Sequence, residues 1–173
     1  MNDAASRCPS PGLVSIKTLR SLVCPRLYQE TVLHVAQQSE TDSADAEHRI
    51  IECLRYLYLV SAHPASLRGQ FLPVEQEIDD VWHYLILQTR EYKTLCEERL
   101  PGRFFIHHRS LPYGEHRQEA TREQRIEAAL RWLPLYRDTF GAMDEHALPY
   151  WTMAKFLRGQ MGLSLQQIAD LDR

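Results

Sequence analysis

No CxxC pair occurs in this 173-residue chain, whose four cysteines (Cys8, Cys24, Cys53 and Cys96) lie far apart. That spacing excludes a zinc ribbon and a dense disulfide framework. No run approaches 18 apolar residues, so no segment reads as a membrane-spanning helix. The opening MNDAASRCPSPG has neither a basic n-region nor an apolar h-region, so no secretory signal is expected. Positive charge is not in excess: 20 basic residues face 23 acidic ones, for a net charge of -3. Electrostatics therefore give no reason to expect a nucleic acid or an anionic membrane as partner. Neither GxGxxG nor a P-loop is present, and GxSxG and HExxH are missing too. A reduced, cytoplasmic protein is the expectation.

What is present is helical periodicity. The hydrophobic fraction of 44% is ordinary for a globular chain, and this length can bury a sizeable core. Residues 1–12 are polar and broken by Pro9, Pro11 and Gly12, and read as a disordered arm. Residues 13–173 read as one helical domain. From Leu13 to Gln38 the apolar residues recur at helical spacing, with Pro25 dividing a short helix from a longer one. The polar SETDSADA loop, 39–46, precedes a helix from about Glu47 to Val60, for which Ser43 or Asp45 is the expected cap. His63-Pro64 stops it, and 65–72 is a connector.

Pro73 suits the first turn of a central helix. Ile78, Val81, Trp82, Leu85, Thr89, Tyr92 and Cys96 then recur at three- and four-residue steps as one inner stripe, ended by Pro101-Gly102. Thr121-Arg122-Glu123-Gln124 matches a capping box, opening a helix with Ile126, Ala129, Leu130 and Leu133 inside and a break at Pro134. Asp144 to Arg158 is helical by pattern. Ser164-Leu165-Gln166-Gln167 is a second capping box, before a short last helix ending near Leu171. The C-terminal LRGQMGLSLQQIADL looks like a helix-turn-helix, but the negative net charge favours an ordinary helix-loop-helix. The expected fold is all-α: a single-domain bundle of about six or seven helices, with one short extended segment near Phe104–His108.

Two constellations can carry chemistry. Asp79 and His83, spaced i, i+4, share one helix face. A carboxylate accepting from one imidazole nitrogen fixes the tautomer and raises the basicity of the other, which suits a metal ligand or a general base. The second is the tandem His107-His108. In an extended strand adjacent side chains face opposite ways, so one histidine joins a site; in a loop both can converge. Asp79, His83, His107 and His108 together suit zinc or another first-row divalent metal. Cys96 lies off that face and reads as a small buried hydrophobe, not a ligand. The alternative is structural: the polar groups, with Trp82, Tyr92 and Cys96, tie the Phe104–His108 segment to the central helix.

These residues also carry a resemblance. Asp79, Trp82, His83, Leu87, Thr89, Tyr92, Cys96, Gly102, Phe105, His107 and His108 form a DxxWH…HH pattern that resembles the glycine-rich domain-containing protein-like family. Leu135-Tyr136 to Phe140-Gly141 and Tyr150-Trp151 look similar as well, so the likeness spans roughly 52–171. The family's proline soon after the histidines is displaced here to Pro112, and its glycine-rich segment is missing. The resemblance implies a shared helical module and no particular activity. The first expectation for function is a non-enzymatic interaction or regulatory module with a protein partner. The second is a metal-binding protein, or a metal-dependent enzyme, using Asp79, His83 and His107 or His108.

Overall fold

The computed structural model describes residues 12–67, 74–108 and 122–171. Among these the chain is all-α, with nine α-helices, no strand and a single isolated bridge between Val74 and Trp151. The expected arm up to Pro11, Pro73, the Thr121 cap and the turn 111–114 lie outside the described residues, and the helix expected to open at Pro73 begins at Gln76.

Helix α1 (Ile16–Ser21) is capped by Ser15, whose side chain accepts from the Thr18 N–H. Pro25 occupies the first position of α2 (Pro25–Gln38), as its fixed φ and missing N–H favour. Helix α3 (Ser43–Ala62) begins earlier than its apolar stripe suggests. Asp42, not Ser43 or Asp45, is its cap and accepts from the Asp45 N–H at 2.8 Å. This 20-residue helix is the centre of the molecule, with Ile50, Cys53, Leu54, Leu57 and Leu59 buried. It packs against α1, α2, α4 (Pro64–Leu67) and α5 (Gln76–Leu87).

The central stretch is not one straight helix. Gln88 leaves helical geometry, with ψ at 61°, and separates α5 from α6 (Thr89–Thr94). Leu95–Arg99 then widens into a π-helix, closed by the Leu100 N–H on the Leu95 carbonyl at 2.9 Å. The stripe survives the break, because Ile78, Val81, Trp82, Leu85, Tyr92 and Cys96 are all buried. Thr89, at the break itself, is exposed.

Pro134 does not break its helix: α7 runs from Arg122 to Phe140 with the proline inside. Proline removes one intrahelical bond, and packing outweighs that loss. The inner face is Trp132, Leu133 and Tyr136, while Leu130 is exposed. The 144–158 stretch is helical only from Thr152. Leu148–Tyr150 is a 3₁₀ turn, and α8 is Thr152–Met161. Between them Trp151 is extended and completely buried, stacked on Trp132 at 4.8 Å. Gly162, with φ of 69°, ends α8 in the left-handed region that glycine adopts freely. The Ser164 capping box forms as expected and opens α9 (Leu165–Ala169).

Candidate metal centre

Backbone contacts fix where α5 starts. The Glu75 N–H donates to the Tyr150 carbonyl at 3.0 Å, beside the Val74–Trp151 bridge. Asp79 then falls in the first turn of α5 and His83 one turn later. His83 Nδ1 lies 3.3 Å from Asp79 Oδ2, as the i, i+4 spacing requires.

The third group arrives from the segment that follows the π-helix. Pro101-Gly102 turns the chain, and the Gly102 N–H donates to the buried Ser61 hydroxyl at 2.9 Å. A Cβ at Gly102 would sit 2.3 Å from the Ser61 carbonyl oxygen and 2.5 Å from the Phe104 ring, so only glycine fits this approach. Phe104–His108, expected as a short extended segment, continues without helical or strand pairing. The buried Tyr92 hydroxyl pins it, accepting from Trp82 Nε1 at 2.9 Å and donating to the Ile106 carbonyl at 2.7 Å.

His108 is thereby laid across α5. Its Nε2 is 2.8 Å from Asp79 Oδ1, its ring stands edge-on to Trp82 at 4.5 Å, and it lies 4.2 Å from the His83 ring. The chain alternates around Ile106, so His107 goes the other way: it is exposed and packs on Phe105 at 4.9 Å. Of the four sequence candidates, the structure brings Asp79, His83 and His108 together and leaves His107 apart.

One ligand atom from each of the three residues lies within 4.8 Å of the other two. Donors held about 2.1 Å from an ion stand roughly 3.0–3.4 Å apart in octahedral or tetrahedral geometry. The 2.8 and 3.3 Å separations run from different oxygens of Asp79, Oδ1 to His108 and Oδ2 to His83, so the carboxylate stands between the two imidazoles, and the three donor atoms as a set are bounded only by the 4.8 Å limit. Solvent reaches the group unevenly: the side chains of His83, Asp79 and His108 are 47, 30 and 13% exposed. The cluster therefore has a rigid buried side on Trp82 and an open side at His83.

Cys96 is completely buried, against the Tyr92 hydroxyl and the Ile106 backbone rather than in the cluster. Burial raises its thiol pKa, and those two contacts oppose the shift only in part. A protonated buried thiol is a poor ligand and a poor nucleophile. Trp82, Tyr92 and Cys96 thus form the wall behind the histidines. The sequence pattern did not reveal Ser61 or the Ile106 carbonyl as parts of this wall, because a backbone acceptor and a buried serine leave no periodic signal.

Gly102→Ala tests how the site is held. The added methyl meets a helix carbonyl that cannot withdraw, so a loss of about 1–3 kcal/mol is expected. Thermal or urea unfolding measures it, and unchanged stability would show that the turn has room to shift. No family model, no curated protein and no solved structure matches this chain. The reading of the site therefore rests on its geometry.

Proposed function

We propose that this is a metal-binding protein in which Asp79, His83 and His108 hold one first-row divalent ion, zinc foremost. The observation that carries the reading is the convergence of one carboxylate and two imidazoles from two separate segments onto one small volume. Two imidazoles and a carboxylate suit zinc and its borderline-soft neighbours better than calcium or magnesium. Three protein ligands leave a coordination position for water or a substrate, and the half-exposed His83 side faces solvent. When bound, such an ion supplies Lewis acidity and lowers the pKa of its water. Trp82 and the Tyr92-held segment supply the rigid backing that keeps His108 in place.

A structural reading competes with this one, favoured by the 2.8 Å Asp79–His108 contact, which is a good hydrogen bond in its own right. In that reading the cluster pins Phe104–His108 within a non-enzymatic interaction module. The resemblance to the glycine-rich domain-containing protein-like family rests on the same residues and fits both readings.

The experiment is elemental analysis of untagged protein purified without chelators, followed by zinc titration calorimetry of the wild type and of Asp79→Ala, His83→Ala and His107→Ala. One equivalent of zinc is expected. Affinity should fall more than about a hundredfold in Asp79→Ala and His83→Ala and stay unchanged in His107→Ala. Free zinc at a hundred times its Kd should stabilise the fold by about 2.7 kcal/mol. No binding, with melting indifferent to zinc and to chelator, would leave the structural pin as the explanation.

A further inference from the structure

A cavity of about 780 Å³ opens on another part of the molecule, between α1, the start of α2 and the α6–π segment. Its volume is in the range of small-molecule sites. Its floor is apolar, with Leu22, Leu27, Leu85 and Leu95 among the lining residues. Its charge is opposite in sign to that of the whole chain. Lys17, Arg20, Arg90 and Arg99 line it, against Glu47 and Glu91. Both carboxylates are engaged, Glu47 by Arg20 and Glu91 by Arg26 at 3.7 Å. Lys17, Arg90 and Arg99 have no hydrogen-bond or ion-pair partner among the described residues, and the four lining cations exceed the two lining carboxylates by two on one cavity of a net-acidic protein.

The local backbone adds a second observation. Leu95–Arg99 is the π-helical segment, and both its ends line this cavity. A π-turn is a rare departure from α-geometry that is frequent at functional sites. Leu95, at one end of this segment, is buried in the core and Arg99, at the other, is exposed at the cavity.

We infer that this cavity binds a small organic phosphate, its apolar body on the leucine floor and its dianionic head among Lys17, Arg90 and Arg99. Arginine forks match phosphate oxygens in pairs, and a dianion balances a surplus of two positive charges where a monoanion leaves one over. A cavity of this size with an apolar floor suits a compact ligand with a hydrophobic body rather than a polymer backbone.

The test is titration with phenyl phosphate, inorganic phosphate and benzoate, followed by ¹H–¹⁵N amide shifts of the wild type and of R90E/R99E. Both arginines are exposed and unpaired, so the variant should fold, and its spectrum verifies that directly. Saturable shifts confined to 17–29 and 85–99 are expected. Phenyl phosphate should bind more tightly than inorganic phosphate, and the double variant should lose about tenfold or more. Shifts scattered over the surface, unchanged binding in R90E/R99E, or benzoate binding as tightly as phenyl phosphate would each overturn the assignment. Zinc at Asp79, His83 and His108 has no part in this experiment, so the two sites are tested separately.

Discussion

Glu52→Ala is expected to cost about 3–5 kcal/mol, read as a large fall in the unfolding midpoint, because it strands a cation in the core. Glu52 is almost fully buried on α3. Its carboxylate accepts from Arg55 Nη1 at 2.7 Å, from Trp151 Nε1 at 2.9 Å and from the Tyr136 hydroxyl at 3.4 Å. Arg55 also lies over the Tyr136 and Phe140 rings, 5.6 Å from each centroid. Removing the carboxylate leaves the guanidinium without its counter-charge and the indole N–H without an acceptor. Replacing Glu52 and Arg55 together by apolar residues should cost much less, since a buried ion pair is hard to break from one side but not strongly stabilising as a whole. Equal losses in the single and double variants would refute this account.

The same residue gives a pH dependence of definite sign. Burial raises the Glu52 pKa, and Arg55 and the Trp151 N–H only partly offset that. A raised folded-state pKa means the native state holds its proton more firmly than the unfolded chain does. The contribution is thus fully present below the ordinary carboxylate pKa and is lost as pH rises through the raised value. Asp45 works in the opposite sense. Although burial pushes its pKa up, the Thr41 and Tyr150 hydroxyls and Arg49 outweigh that and hold it below the ordinary value. Its stabilisation is present above the ordinary carboxylate pKa and is lost as pH falls through the lowered one. Comparing Glu52→Gln and Asp45→Asn across pH should separate the two slopes.

Most helices were legible because burial follows period. The stripes Ile50, Leu54, Leu57 and Ile78, Val81, Trp82, Leu85 fell inward as the spacing implied. Where the sequence misled, a longer-range interaction decided. Pro134 stayed inside α7, where Trp132 and Tyr136 on either side of it pack on the buried Trp151. Gln88 broke the central helix although no proline or glycine marks it, and no local residue type foretells a π-turn after Thr94. The Glu52–Arg55 pair escapes the sequence pattern because a glutamate in an apolar stripe looks like an ordinary interruption until Trp151 and Tyr136 are brought to it from 99 and 84 residues away. The cluster itself was half legible. Asp79 and His83 are fixed by helix geometry alone. His108 rather than His107 was chosen by the register of Phe104–His108 on Tyr92, a tertiary fact that tandem histidines leave undecided.

Tyr92→Phe isolates that register. The substitution removes one oxygen from a residue that is 1% exposed, and the ring and its packing remain. Two buried groups then lose their partners, the Trp82 N–H and the Ile106 carbonyl. Each costs about 1–3 kcal/mol when left unsatisfied, so a loss of roughly 2–6 kcal/mol is expected from a change that deletes no carbon. The effect should reach the proposed metal site. Ile106 is two residues before His108, and its carbonyl bond fixes which imidazole faces Asp79. Zinc affinity in Tyr92→Phe should therefore fall well below wild type although every ligand is intact, and less steeply than in Asp79→Ala. Cys96→Ala removes the thiol's contacts to the Tyr92 hydroxyl and the Ile106 backbone but leaves the Trp82–Tyr92 and Tyr92–Ile106 hydrogen bonds in place, so it should cost stability and lower zinc affinity less than Tyr92→Phe does. If Tyr92→Phe lowered stability but spared zinc binding, the Asp79–His108 pair would be holding the segment in register by itself, and the hydroxyl would serve the core alone.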